Sequence, residues 1–231
     1  MAKLVWDAEG QKTYETGVDH GVLYVKKSDG TYDKGVAWNG LSSVSESPSG
    51  AEATAIYADN IKYLNLISAE EFGATIEAYT YPDEFMECDG SAVAADGVYL
   101  GQQNRKPFGF VYRTRFGNDT EGTEHGYKLH LIYNAQAAPS ERQYSTINDS
   151  PEAITFSWTV TTTPAVVTTT TTVGGVTTTV STNYKPTACL TIDSTKADAT
   201  KLATLEARLF GTENADPELP SPGEVIGIFA A

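Results

Sequence analysis

Apolar and polar residues alternate with a period of two along most of the chain, which is the periodicity of β-strands rather than helices. The alternation predicts strands near residues 20–26, 34–39, 72–79, 108–113, 127–133 and 154–160. Each of these segments has one apolar and one polar side, as is typical of antiparallel sheets that pack on one face. We therefore predict a mainly β fold, with two packed antiparallel sheets in a sandwich or partly open barrel. One or two short helices are expected to flank the sheets.

Helical signals are confined to two segments. The first covers residues 82–88, where a proline and two acids suit the first turn of a helix. The second runs from Asp198 to Phe210, with Asp198 as the N-cap and Gly211 as the stop. Its leucines at positions 202, 205 and 209 form a stripe at helical spacing that predicts packing on a sheet.

Two further segments stand apart from this pattern. Residues 161–184 are uncharged and rich in Thr and Val, and they are nearly palindromic about Gly174–Gly175, which predicts a hairpin extension. A flexible threonine-rich spacer is the alternative interpretation. Residues 212–231 form a proline-broken C-terminal arm, whose last apolar residues, 225–229, predict a short strand or anchor. We find no linker between domains, so residues 1–231 are expected to form a single domain.

The acidic charge of the chain lies mostly in its N-terminal part. The net charge is −14; residues 1–99 carry 17 acids and 6 bases, a net of −11, and residues 100–231 carry 13 and 10, a net of −3. Such a protein does not bind nucleic acid by neutralising phosphates, because it cannot release their counterions. It can still surround nucleic acid without holding it, although solubility alone would also explain the charge.

The residue patterns of common catalytic and metal sites are missing from the sequence. Its three histidines lack metal-ligand spacing, and neither a Gly-x-Ser-x-Gly motif nor a phosphate-binding glycine loop occurs. The acids of residues 83–89 lack EF-hand spacing. Cys88 and Cys189 lie in apolar contexts that favour reduced thiols, though a disulfide between them stays open. We predict a protein that is not an enzyme and has no metal or cofactor, which disfavours a hydrolase.

The expected location and partners follow from what the chain does not contain. Residues 1–7 are too short and polar for a signal peptide, and no apolar run approaches about 18 residues. We therefore expect synthesis in a cytosol and no membrane partner. One cluster of bases, with aromatic neighbours, could bind single-stranded nucleic acid or form salt bridges with an acidic patch on a neighbouring subunit: Arg105, Lys106, Arg113 and Arg115. We favour the salt bridges because the chain is otherwise acidic.

The segment from Trp38 to Ser91 carries the most specific signal. It begins Trp-Asn-Gly-Leu, passes through a polar run, Glu46-Ser-Pro-Ser-Gly-Ala-Glu52, and reaches Tyr57-Ala-Asp-Asn-Ile-Lys-Tyr-Leu64. A strand pattern at residues 72–81 and the acidic phrase Pro82-Asp-Glu-Phe-Met-Glu-Cys-Asp-Gly-Ser91 follow. In this order the phrases resemble the major tail tube proteins of long, non-contractile bacteriophage tails. The resemblance is strongest over residues 36–91 and continues more loosely to about residue 160.

The resemblance implies a structural virion protein. Family members assemble as hexameric rings that stack into a tube, with strands of each subunit joining a barrel around a channel for genomic DNA. The implied partners are further copies of the chain, together with tape-measure, tail-terminator and tail-tip proteins, and DNA passes without specific binding. The implied location is the virion tail, after assembly in the host cytoplasm. The alternatives are a tube of a phage-derived bacteriocin and a cell-surface adhesion module with a threonine-rich stalk.

The resemblance also assigns roles to residues. It implies a mobile ring-stacking loop at about residues 41–61, and strands near 36–41 and 61–67 that line the channel. The candidate subunit and ring contacts are Leu41, Ser45, Glu46, Pro48, Gly50, Glu52, Tyr57, Arg113 and Arg115. Three acids are candidates for a DNA-repelling lumen: Glu46, Glu52 and Asp59.

Overall fold

The computed structural model describes residues 4–147, 149–150, 152–173, 176–181 and 184–230 of the chain. Sixteen strands are assigned in this part of the chain: β1 (Thr13–Val25), β2 (Val36–Trp38), β3 (Leu41–Glu46), β4 (Ser49–Gly50), β5 (Ala53–Ala58), β6 (Ile61–Ile67), β7 (Glu70–Glu71), β8 (Gly73–Ala78), β9 (Ala92–Ala95), β10 (Val98–Leu100), β11 (Phe108–Asn118), β12 (Gly122–Ala137), β13 (Phe156–Thr162), β14 (Thr168–Val173), β15 (Val176–Ser181) and β16 (Cys189–Asp193). The helices are a 3-10 helix (Asp83–Glu87), α1 (Ala199–Phe210) and α2 (Pro222–Ala230). The predicted mainly β class is confirmed.

Eight antiparallel strands form one sheet that curls back on itself. Its order is β2-β1-β11-β12-β13-β8-β3, and β16 pairs with the middle of β12. The end strands β2 and β3 are separated in sequence only by Asn39 and Gly40, so the sheet must curl until its two ends meet. Gly40 supports this corner with a φ of 76°. A side chain at Gly21 would collide with Leu41, so glycine allows β3 to approach β1 there.

The inner face of the curled sheet encloses an aromatic core. Trp38 of β2 packs against Phe85 of the 3-10 helix, with ring centroids 4.5 Å apart, and against Trp158 of β13 at 5.5 Å. Phe110 of β11 also packs against Trp38, with ring centroids 5.4 Å apart. All four rings are buried. Because these residues come from distant parts of the sequence, this core fixes the curvature that makes the sheet a sandwich.

The outer face of the same sheet is covered by the two helices. Leu202, Leu205 and Leu209 of α1 and Val225 of α2 are buried against it. The strand residues that they cover are Val22, Tyr24, Val111, Leu129, Leu131 and Tyr133. The expectation of a polar outer side is therefore wrong for β1, β11 and β12, in which residues 21–24, 108–112 and 131–133 are buried on both faces. The predicted helix at 198–210 is confirmed, and the Asp198 carboxylate accepts hydrogen bonds from the amides of Thr200 and Lys201.

The C-terminal arm differs from its prediction. Residues 225–229 were expected to form a strand or anchor, but they lie in α2. A capping box starts this helix: the Ser221 amide donates to Glu224 Oε2 at 2.9 Å, and the Glu224 amide lies 3.4 Å from Ser221 Oγ. Leu219 and Val225 are buried in the outer core, so the arm packs on its own sheet.

The threonine-rich segment pairs as predicted. Strands β14 and β15 are antiparallel from Thr168↔Ser181 to Val173↔Val176. This register agrees with the hairpin interpretation and not with a spacer. The predicted turn at Gly174–Gly175 lies outside the described residues.

Candidate assembly surfaces

A single long β-hairpin runs from Leu41 to Ala78. Its base, β3 and β8, lies in the main sheet, and its outer part continues through β4–β7 and β5–β6. The two arms stay paired along its length, with register shifts between Leu41 and Ser43 and between Ile56 and Tyr57; four of the pairs are Glu46↔Ala74, Ser49↔Glu71, Ala53↔Ile67 and Ala58↔Ile61. Asp59 and Asn60, with φ angles of 51° and 64°, form the two-residue turn. We call residues 49–71 the distal hairpin and the curled sheet with α1 and α2 the body.

The distal hairpin exposes its apolar side chains on both faces. In β6 alone Ile61, Tyr63 and Ile67 are between 65% and 68% exposed. From Ser49 to Ala58 it extends over roughly 30 Å, at ~3.3 Å per residue of strand. A two-stranded ribbon is at best marginally stable in water, and contiguous exposed apolar surface marks an interaction site. The distal hairpin is therefore the main candidate assembly surface among the described residues.

The prediction of a mobile loop at residues 41–61 is wrong as secondary structure. The segment is one arm of the hairpin, and its first six residues, β3, are part of the main sheet. Leu41 and Val44 pack against the inner core, while Ser42 and Ser45 are exposed. The two inward residues are three positions apart because the register shifts between Leu41 and Ser43. The signal that could have identified the hairpin is Asp59–Asn60, a turn pair between two stretches of strand-forming residues.

The structure separates the predicted contact residues into two groups. Leu41 is half-buried in the body, and Ser45 and Glu46 lie at the exposed end of β3. Four further predicted contacts, Pro48, Gly50, Glu52 and Tyr57, and the lumen candidate Asp59 are exposed residues of the outer hairpin or its root. Their contact with neighbouring subunits and the lumen role of Glu46, Glu52 and Asp59 stay predictions. That residues 36–41 and 61–67 line the channel also stays a prediction. Residues 36–38 form β2, with Trp38 buried in the core, and residues 61–67 form β6.

Glu46 anchors the root of the hairpin to the body. It accepts a hydrogen bond of 2.7 Å from the Tyr112 hydroxyl and lies 3.6 Å from Nδ1 of His130. His130 and Tyr112 stack with centroids 4.6 Å apart, and Glu15 approaches His130 from β1 at 3.5 Å. The neighbouring His130, followed by the hydrogen bond from Tyr112, lowers the pKa of Glu46 below its ordinary value. Glu46 is thus held by its own chain, which makes it the weakest of the three lumen candidates.

Arg113 is neutralised within the chain. Its Nε and Nη2 donate to the two carboxylate oxygens of Asp19 at 2.7 and 2.9 Å, a bidentate pair. The hydrogen bonds of Arg113 hold the pKa of Asp19 below its ordinary value. Arg115 is more exposed and lies 3.6 Å from Asp19 and 3.5 Å from Glu124. Of these two arginines, Arg115 is the one still open to a neighbouring subunit.

The other two bases of the predicted cluster lie elsewhere. Arg105 is 3.3 Å from the buried Asp89, and Lys106 is 2.6 Å from Glu87. Seven residues separate Lys106 from Arg113, roughly 20 Å of extended chain. The four bases therefore do not form one patch.

Smaller apolar surfaces accompany the distal hairpin. Leu4, Val5 and Trp6 of the N-terminal segment are exposed. The short hairpin of β9 and β10 exposes four more apolar side chains: Val93, Val98, Tyr99 and Leu100. These surfaces are additional candidates for subunit contact.

Thiols and metal-binding side chains do not form a recognisable site in the described part of the chain. Cys88 is buried and Cys189 half-buried, and both are free. Burial raises the pKa of the Cys88 thiol to about 12, so this thiol is unreactive at neutral pH. No group of three or more His, Cys, Asp or Glu side chains in the described ranges is arranged to hold a metal ion. Within those ranges, every helix is too short or too polar to cross a bilayer.

Comparisons with known proteins give a weak structural likeness. No protein-family model matches the chain, and no curated protein matches it. Among solved structures, the chain is similar to a chain of the sheath–tube complex, in the extended state, of an extracellular contractile injection system, PVC. The identity is 15%, the match covers 62% of this chain and 83% of that chain, and the TM-score is 0.28. A TM-score this low does not establish a common fold.

Proposed function

We propose that this chain is a structural tail tube protein that assembles with copies of itself into stacked rings around an open channel. The observation that carries the proposal is the distal hairpin, a long ribbon whose large apolar side chains are exposed and belong to neither core cluster. The resemblance of residues 36–91 to tail tube proteins of non-contractile phages adds the class of assembly. In this role the chain performs no chemical reaction.

Self-association is the simplest way to cover the distal hairpin. Seven of its side chains are large, apolar and more than a third exposed: Ile56, Tyr57, Ile61, Tyr63, Leu64, Leu66 and Ile67. Together they expose on the order of 900 Å², comparable with the ~800 Å² that each partner buries in a standard interface. A surface that meets a different surface on the next copy can close into rings or continue as a helical tube.

The charge of the chain suits a channel for DNA. An acidic wall repels phosphates and leaves a layer of water, so that a polyanion can slide without being held. Glu52 and Asp59 are exposed and belong to the outer hairpin or its turn. We propose them as the acids closest to the channel, with Glu46 in a supporting role.

The finer features of the proposal come from the resemblance alone. They are six subunits per ring, delivery of a phage genome, assembly in the host cytoplasm, and contacts with tape-measure, tail-terminator and tail-tip proteins. A tube of a phage-derived bacteriocin would use the same subunit contacts without carrying DNA.

Negative-stain electron microscopy of the purified full-length chain at high concentration tests the proposal. The expected result is hollow stacked rings in the wild type and none in Tyr63→Ser/Ile67→Ser, which makes the exposed strand β6 polar. Lys196→Ser, at an exposed site of the body, serves as the matched surface control and should assemble like the wild type. A wild-type chain that remains a dispersed monomer, also in the presence of other tail components, would contradict the proposal.

A further inference from the structure

A histidine lies between two carboxylates at the root of the hairpin. The side chain of His130, in β12, is only 12% exposed. Glu15 of β1 lies 3.5 Å from its Nε2 atom, and Glu46, the last residue of β3, lies 3.6 Å from its Nδ1 atom. Because β1 and β3 are far apart in the strand order, the imidazole stands where two distant parts of the sheet meet.

The charges around this imidazole do not balance while it is neutral. The titratable groups that surround it and the two carboxylates come from five strands: Glu15 of β1, Glu46 of β3, Tyr112 of β11, Lys128 of β12 and Cys189 of β16. Lys128 is 2.7 Å from Glu15 and compensates one carboxylate. Burial raises the pKa of the Tyr112 hydroxyl and of the Cys189 thiol, so both are neutral at pH 7. One negative charge is therefore left over, which a protonated His130 would cancel.

The hydrogen bonds show which ring nitrogen can take up this proton. The hydroxyl of Thr114 donates to Glu15 at 2.6 Å, so it can only accept from Nε2 of His130, 2.9 Å away. Nε2 therefore already carries a hydrogen. Nδ1 lies 3.4 Å from the Thr191 hydroxyl, which can donate to it while the ring is neutral. A proton added at Nδ1 would face the Glu46 carboxylate.

We propose that protonation of His130 at Nδ1 clamps the root of the hairpin to the body. The charged ring bridges Glu15 and Glu46, so the end of β3 is held against β1 and β12. With the neutral ring, Glu46 keeps only the hydrogen bond from Tyr112. An imidazole changes its charge between about pH 5 and pH 8, so the clamp closes in mild acid and opens in mild alkali. It acts within one subunit and does not depend on the proposed function.

Both carboxylates keep their charge across this pH range. The neighbouring His130, followed by the hydrogen bond from Tyr112, lowers the pKa of Glu46. Burial acts against the charge of Glu15, but hydrogen bonds from Lys128 and Thr114 outweigh it, and the pKa of Glu15 is lowered as well. The change of charge in the cluster therefore falls on the imidazole.

Hydrogen exchange of the dilute free subunit tests the clamp. The amide of Ser47 donates to the Gly73 carbonyl at 2.8 Å and reports on the end of β3. Its protection is measured at about pH 5 and about pH 8, after correction for the intrinsic effect of pH on exchange. In the wild type it should be roughly fivefold greater at the lower pH, a factor that corresponds to about 1 kcal/mol. Equal protection at the two pH values would overturn the inference.

Two variants and a matched control assign the pH dependence to this cluster. His130→Gln stays polar but cannot take up the charge, and Glu46→Gln removes the carboxylate that the charged ring faces. In both variants the protection of Ser47 should be the same at the two pH values. His125→Gln removes another histidine of β12, which is 2.7 Å from Glu121, and should keep the wild-type difference. A difference that persists in either of the first two variants would overturn the inference.

Thr191→Val tests the proton's position on the ring. The variant removes the hydroxyl that donates to Nδ1 in the neutral ring, so the rise in Ser47 protection should begin at a higher pH than in the wild type. An unchanged pH profile would contradict proton uptake at Nδ1.

Discussion

The two ends of the Leu41–Ala78 hairpin place isoleucine in opposite environments, buried at the base and exposed in the outer part. Ile76 in β8, at the base, is completely buried between the sheet and the aromatic core. Ile67 in β6, nine residues earlier in the same arm, is 66% exposed. Both positions follow from strand geometry, but only the base has a body to pack against. Under the proposed function, this difference means that the body folds alone and that the distal hairpin is completed by other subunits.

The largest expected effect on stability comes from replacing each of these two isoleucines by alanine, in separate variants. Ile76→Ala should lower the free energy of unfolding of the free subunit by about 2–4 kcal/mol, because it removes a buried side chain and leaves a cavity. Ile67→Ala should change it by no more than about 0.5 kcal/mol, as for other exposed positions. Chemical denaturation at subunit concentrations too low for assembly measures both. Equal losses in the two variants would erase the distinction between body and distal hairpin.

A second test asks whether the surface of the body also takes part in assembly. Arg113→Glu should cost about 2 kcal/mol of folding stability, because it breaks the bidentate pair and places a second acid beside Asp19. Arg115→Glu, two residues further along β11 and more exposed, should cost less than about 1 kcal/mol. Denaturation and sedimentation are measured on both variants. Normal assembly of Arg115→Glu would confine subunit contacts to other surfaces, and weakened assembly would extend them to this side of the body.

The smallest expected effect is a dependence of the body's folding stability on pH in the acidic range. The pKa of Asp19 is lowered in the folded chain, chiefly by its hydrogen bonds to Arg113, so its contribution is present above the ordinary value of 3.8 and is lost as pH falls through the depressed pKa. Denaturation curves from pH 6 to pH 2 should show stability falling below about pH 4. In Asp19→Asn this decline should be shallower than in the wild type. If stability depends on pH equally in Asp19→Asn and in the wild type, the Asp19–Arg113 pair contributes nothing to stability.

Local sequence patterns predicted those elements of the fold that are determined by residues close together in the sequence. Asp198 and the leucine stripe define α1 without help from the rest of the chain, and the alternation around Ile76 defines β8. Burial on both faces of β11 and β12 could not be predicted in this way. It depends on α1 and α2, which come from the far end of the sequence and cover the outer face.

Two errors have identifiable physical causes. The β-branched residues Val225, Ile226 and Ile228 favour strands, but the capping box of Ser221 and Glu224 starts a helix, and packing on the outer core stabilises it. The serine- and glycine-rich stretch after Leu41 has the composition of a loop, but partner strands pair with it in both β3 and β4. For the candidate assembly surface, sequence analysis predicted a loop in the segment that the structure shows as an exposed hairpin.

Hydrogen–deuterium exchange of the backbone amides of residues 53–67 tests the central claim most directly. The account predicts rapid exchange in the free subunit and strong protection in the assembled form, while β11 and β12 of the body are protected in both. Equal protection of residues 53–67 in the two forms, or rapid exchange in both, would contradict the account, because the distal hairpin would then gain nothing from assembly.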